Sequence, residues 1–165
     1  MDYRTLSIQE LHSLLLSKEI TPLELTKAAI ENAKKDNNNA FEYIMEKEAI
    51  EIASSLGEPE EHNLLWGIPF VIKDNFSTKD VPTTASSNIL KDYVPIYSSE
   101  VYQRLLNSKA IPIAKTTLDE LAMGGSGTTG HLGITFNPWD KTHKRHVGGS
   151  SCGSAAAISA GIVPL

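Results

Sequence analysis

The sequence is short of cysteine, of basic residues and of long apolar runs, and each shortage closes off a class of function. One cysteine in 165 residues leaves no intrachain disulfide framework and fits a reducing compartment. No apolar run approaches the ~20 residues of a membrane-spanning helix, and Met1-Asp2-Tyr3-Arg4 opens no signal peptide. Lys and Arg number 15 against 20 Asp and Glu, a net charge of −5. A protein that grips nucleic acid through a broad phosphate-binding surface of its own reads basic, so that class is set aside. The expectation is a soluble, cytoplasmic, globular chain with no membrane partner. Its length is that of one ordinary domain, able to bury roughly two thirds of its unfolded surface.

Residues 1–60 read as a helical region. Ser7 with Glu10 three positions on is a capping box ahead of Ile8, Leu11, Leu14 and Leu15. Thr21, Pro22 and Glu24 mark a second helix start, running to Lys34-Lys35 and ending in the polar cluster Asp36-Asn37-Asn38-Asn39. Phe41 to Met45 reads as a short strand, and Glu46 to Leu56 as a third helix closed by Gly57 and Pro59. Nothing before Gly57 is assigned chemistry; these helices are for packing or docking.

Residues 61–165 read differently. Pro69-Phe70-Val71-Ile72 is a buried strand stopping at Lys73-Asp74-Asn75. Ser98-Ser99-Glu100 opens a helix through Val101, Leu105 and Leu106, and Ile111 to Ala114 is a second apolar strand. Thr117 with Glu120 predicts a short helix over Leu118 to Met123. Strand, helix, strand, helix is α/β grammar: N-terminal helices, then a mixed or parallel sheet covered by helices. From Gly124 onward glycine-rich loops alternate with the anchors Phe136, Pro138 and Trp139, and such loops are where a scaffold carries function.

Several motif readings fail on context. Gly125-Ser126-Gly127-Thr128-Thr129-Gly130 has the dinucleotide spacing, but that mechanism needs a strand before it and a helix opening inside it. His143, His146 and Cys152 lack the fourth ligand of a structural zinc site, so no metal is assigned. Two features remain. Lys73 ends a buried strand, where a lysine is costly unless paired or neutral, and a desolvated lysine serves as a general base. Its bland alternatives are an ammonium that snorkels to solvent or pairs with Asp74. The second is Gly148-Gly149-Ser150-Ser151-Cys152-Gly153-Ser154, followed by a helix of small residues. Glycines let a backbone approach a ligand, and hydroxyls at a helix mouth sit where N–H groups favour developing negative charge. Serine hydrolase, oxyanion site and phosphate cradle all fit that pattern.

Together these blocks resemble the amidase signature family. Gly67 to Asn75 is similar to its first block, Leu118 to Ser126 to its second, and Asn137-Pro138-Trp139-Asp140 with Gly148 to Ala157 to its glycine-serine block. Cys152 and Val147 depart from the family's usual glycine and proline. The resemblance covers essentially the whole chain and implies the amidase signature fold with a Ser–Ser–Lys catalytic group. Within it, Lys73 is the base and Ser150, held by a cis peptide bond, the bridging serine. Gly125, Ser126, Gly149 and Ser151 form the loop facing substrate and oxyanion; the hydroxyls of Ser151 and Ser154 are helix caps. The nucleophile is expected beyond Leu165, so residues 61–165 would be the first part of the signature domain and the chain alone inactive. In the family's glutamine-using, tRNA-dependent branch, the resemblance implies partner subunits B and C. Glutamine supplies ammonia, tRNA is bound through the B partner, and the complex uses ATP and Mg. No cofactor is expected on this chain itself. The branch's rivals are a stand-alone amidase acting on small amides and a non-catalytic assembly fragment.

Overall fold

The computed structural model describes residues 1–165. Helix α1 (Ile8–Leu16) starts at Ser7, whose Oγ accepts from Glu10 N at 3.2 Å while Glu10 Oε2 accepts from Ser7 N at 2.7 Å. Helix α2 (Pro22–Lys34) repeats the device with Thr21 and Glu24. Strand β1 (Phe41–Ile44) and helix α3 (Glu46–Ser55) follow as the sequence predicts. Strand β2 (Pro69–Lys73), helix α4 (Glu100–Asn107), strand β3 (Ile111–Thr116) and helix α5 (Cys152–Ser159) complete the order.

The sheet is mixed, in the order β1-β3-β2. β1 runs antiparallel to β3, pairing Phe41 with Thr116 and Ile44 with Ala114. β2 runs parallel to β3, pairing Ile72 with Lys115 and Lys73 with Thr116. Every residue of the central strand is buried, as expected of a strand flanked on both edges and covered on both faces. At the outer edge of β2, Val71 N donates to Leu165 O at 2.9 Å.

Two apolar clusters cover the sheet. The larger joins Leu11, Leu15, Leu25, Ala29 and Ile30 to Ile111, Ile113, Ala157 and Val163, with Val71 packed against it. The smaller gathers Met45, Phe70, Ile72, Val81, Tyr102 and Ala110. Alternation along β2 therefore sends Phe70 and Ile72 to one side and Val71 and Lys73 to the other.

One predicted element is absent. Leu118 to Met123 is no α-helix: only Glu120–Ala122 make a 3-10 turn, and Leu121 and Ala122 have φ of +53° and +61°. Tertiary bonds take the groups that would cap it. Thr117 Oγ1 donates to Asn39 O at 2.9 Å, and Glu120 Oε1 accepts from Ser87 Oγ at 2.7 Å. No helix of the chain is long and apolar enough to cross a membrane.

Candidate active site

The site is built where β2, the glycine-rich loop and the start of α5 meet. β2 delivers Lys73 at its C-terminal end, on the face toward α5. There Lys73 Nζ donates to Ser150 Oγ at 2.7 Å, across 77 positions of sequence, with both side chains half-buried. The Gly149–Ser150 peptide bond is cis. Lys73 Nζ is thus on Ser150 rather than on Asp74, which faces another lysine.

That other lysine is Lys115. It has no exposed surface, and its Nζ lies 3.0 Å from Asp74 Oδ1, 2.9 Å from Phe76 O and 2.8 Å from Thr83 Oγ1. Burial lowers its pKa, against the opposing pull of Asp74. Asp74 Oδ2 accepts from Thr84 N at 2.7 Å and Thr84 Oγ1 at 2.8 Å, so this pair pins the loop that leaves β2. Because β2 and β3 are in register, Lys73 and Lys115 project to opposite faces of the sheet.

Four of the predicted loop residues are brought together around Ser150. Gly149 lies against the backbone of Gly125 and Ser126, where a Cβ would fall 2.9 Å from Gly125 C and Ser126 N and collide with Asp119 Oδ2. Only glycine fits there. Ser126 N donates to Asp119 Oδ2 at 3.1 Å, and its hydroxyl meets Thr128 Oγ1 at 2.7 Å. Ser151 is exposed and precedes α5, but its side chain makes no capping bond. Ser154 is no cap either. Its hydroxyl meets Thr116 Oγ1 at 2.8 Å and ties α5 to the end of β3, as does Gly153 N donating to Thr117 O at 3.1 Å. Cys152 is buried in the first turn of α5.

Sequence reasoning passes over two further groups. Asp119 is buried, and its carboxylate accepts from four successive backbone N–H groups, Ser126 to Thr129, at 3.0 to 3.4 Å. Its own N–H donates to Ser150 O at 3.1 Å. The available signal is an acid shortly before a run of glycines. The second group lies before Gly57, in the stretch assigned no chemistry. Glu42 on β1 accepts from Ser86 Oγ, and its Oε2 is 2.9 Å from His131 Nε2. Nothing local in sequence joins those three. His143 meets Phe136 edge-on, with ring centroids 4.3 Å apart, and no group of three or more His, Cys, Asp or Glu side chains is gathered for a metal ion.

A lysine Nζ within hydrogen-bond distance of a serine hydroxyl, inside glycine-rich turns, is a geometry across which a proton can pass between nitrogen and oxygen. The chain belongs to the amidase family, whose model matches residues 24–165. It is 44% identical over 169 residues to the A subunit of the glutamyl-tRNA(Gln) amidotransferase of Streptococcus pneumoniae (strain 70585), and equally so to that of Streptococcus thermophilus (strain CNRZ 1066). In both cases all of this chain is covered but 34% of the relative, so the chain spans about a third of these proteins' length. Among solved structures, the A subunit of the glutamyl-tRNA(Gln) amidotransferase of Thermotoga maritima superposes with a TM-score of 0.79 at 34% identity, over 99% of this chain and 33% of that one. A crystal structure described as an amidase gives 0.83 at 33% identity, over 96% and 37%. The α/β architecture is therefore that of the amidase signature enzymes.

Proposed function

We propose that this chain carries the base and the relay of a Ser–Ser–Lys amide-cleaving site, in the A subunit of a glutamyl-tRNA(Gln) amidotransferase. The observation that carries the reading is the 2.7 Å bond between Lys73 Nζ and Ser150 Oγ. In the forward step a neutral Lys73 amine takes the Ser150 proton as Ser150 Oγ takes the proton of a second serine. That second serine lies outside this chain. Its oxygen attacks the side-chain amide carbon of glutamine, the C–N bond breaks, and the leaving nitrogen recovers a proton as ammonia. Water then cleaves the acyl ester to release glutamate. The backbone around Gly125, Ser126, Gly149 and Ser151 borders the space where the amide oxygen gains charge.

The partners follow from the likeness to the amidotransferase A subunits. Subunits B and C complete the complex, the B partner binds the tRNA, and ATP with Mg activates the acceptor carboxylate there. The chain's net charge of −5 suits a component that does not itself hold the tRNA. The 165-residue polypeptide alone, given glutamine, is expected to release ammonia at the background rate, and release above background would overturn the placement of the nucleophile elsewhere. In the assembled complex, Lys73→Ala is expected to abolish glutamine-dependent turnover while subunits B and C still co-elute; retained turnover would remove Lys73 from its role. The amidase crystal structure's likeness favours a second reading, water-accepting hydrolysis of small amides. Turnover of acetamide-type substrates with none of glutamine would select it.

A further inference from the structure

Ser150 is presented to Lys73 by a turn whose own glycines could not hold it still, so something outside that turn must fix its position. The contacts around Asp119 answer to that need. Its main-chain N–H donates to Ser150 O at 3.1 Å, its carboxylate packs against Gly149, and the same carboxylate gathers the loop on the other side. Oδ2 accepts from Ser126 N at 3.1 Å; Oδ1 accepts from Gly127 N at 3.0 Å, Thr128 N at 3.1 Å and Thr129 Oγ1 at 3.1 Å. Gly127 has φ of +74°, and a Cβ there would meet Cys152 Cβ at 2.7 Å and Val147 Cγ1 at 2.8 Å. The glycine loop is thus folded tightly between Asp119 and the start of α5. Burial works to raise the Asp119 pKa, but the N–H of Gly127, the Thr129 hydroxyl and the N–H groups of Thr128 and Thr129 outweigh it, leaving the pKa lowered. The carboxylate form is the one these donors require.

We propose that Asp119 is the positioning residue of this site: one buried carboxylate clamps the 126–129 loop and, through its own backbone, sets Ser150 Oγ on Lys73 Nζ. It touches neither substrate nor reacting atoms and acts through Ser150. The inference rests on the base–relay reading above, and it goes further by naming what keeps base and relay in contact. An asparagine keeps the shape of Asp119 but turns an NH2 toward a ring of N–H donors. Two donors facing each other cannot bond, so the loop withdraws and Ser150 with it.

The test uses the 165-residue chain with 13C- and 15N-labelled lysine, followed by NMR at neutral pH. The Lys73 Cε and Nζ signals are assigned by their loss in Lys73→Arg. Ser150→Ala sets the shift that loss of the contact produces. Asp119→Asn is expected to move the Lys73 signals in the same direction by a comparable amount, with the Lys115 signals in place. If Ser150→Ala moves Lys73 and a folded Asp119→Asn does not, the positioning role is overturned and the base–relay reading stands. If Ser150→Ala leaves Lys73 unmoved, the couple itself is not formed and both readings fall. Should Asp119→Asn fail to fold by circular dichroism, Thr129→Val removes a single donor from the same carboxylate. A smaller shift of Lys73 in the same direction then supports the role, and no shift overturns it.

Discussion

Lys115 is the residue whose cost to the fold is easiest to measure. Three oxygens lie within 3.0 Å of its Nζ, two of them accepting hydrogen bonds and the third in the Asp74 carboxylate, and the side chain has no exposed surface. Removing one member of a buried pair leaves the other charge uncompensated, at a typical cost of roughly 3–5 kcal/mol. Lys115→Met is therefore expected to lower the unfolding free energy by about that amount, measured by urea denaturation at pH 7. An apolar replacement of both Lys115 and Asp74 should recover much of the loss. The pH dependence has a definite sign. Burial lowers the Lys115 pKa from 10.5, so between its depressed value and 10.5 the unfolded chain binds more protons than the folded one. Stability of the wild-type chain should rise with pH through that alkaline window relative to Lys115→Met; a parallel pair of curves would show that Lys115 is not depressed. The same two lysines mark a limit of sequence reading. Lys73 and Lys115 each follow directly on an apolar run, and local pattern treats them alike. Only the pairing of β2 with β3 shows that one faces a serine and the other a carboxylate, on opposite sides of the sheet.

At the scale of elements, α5 depends on a single missing side chain. A Cβ on Gly153 would press into Ala40 O and lie 2.5 and 2.6 Å from Thr117 Oγ1 and N. Alanine is intrinsically the better helix former by about 1 kcal/mol, and overpacking of this kind costs about 1–3 kcal/mol. Clash against backbone should win, so Gly153→Ala is expected to lower the melting temperature followed by circular dichroism. A rise would show that α5 has room to move off β3. Elements started by local chemistry are legible in the sequence: the boxes at Ser7–Glu10 and Thr21–Glu24 open helices where their spacing says they should. Leu118 to Met123 misleads because its caps, Thr117 and Glu120, are spent on Asn39 and Ser87, partners far off in sequence. The capping role expected of the Ser154 hydroxyl fails for the same reason, since it reaches Thr116 instead, and the cap expected of Ser151 is not formed. The Lys73–Ser150 pairing is legible only from the resemblance of whole blocks, since spacing alone leaves three kinds of chemistry open.

On the scale of the whole molecule, several large apolar side chains stand exposed. Ile96 is 87% and Met123 83% exposed, and Trp139, Ile89 and Tyr97 also stand out from the surface. Exposed apolar side chains favour association where they adjoin one another. The double variant Ile96→Lys, Met123→Lys is expected to reduce self-association in light scattering without shifting the melting temperature. Unchanged scattering would assign association to another surface. The order β1-β3-β2 has a different kind of consequence, one concerning time. Both flanking strands are translated before the strand that joins them, so no ladder can close until Thr116 has left the ribosome. At ~5–20 residues per second, β1 waits several seconds with its hydrogen-bonding edge open, on a nascent chain whose first helices already display their apolar faces. The interval is fixed by strand order rather than by any one residue, and throughout it the protein's own sheet cannot cover that edge.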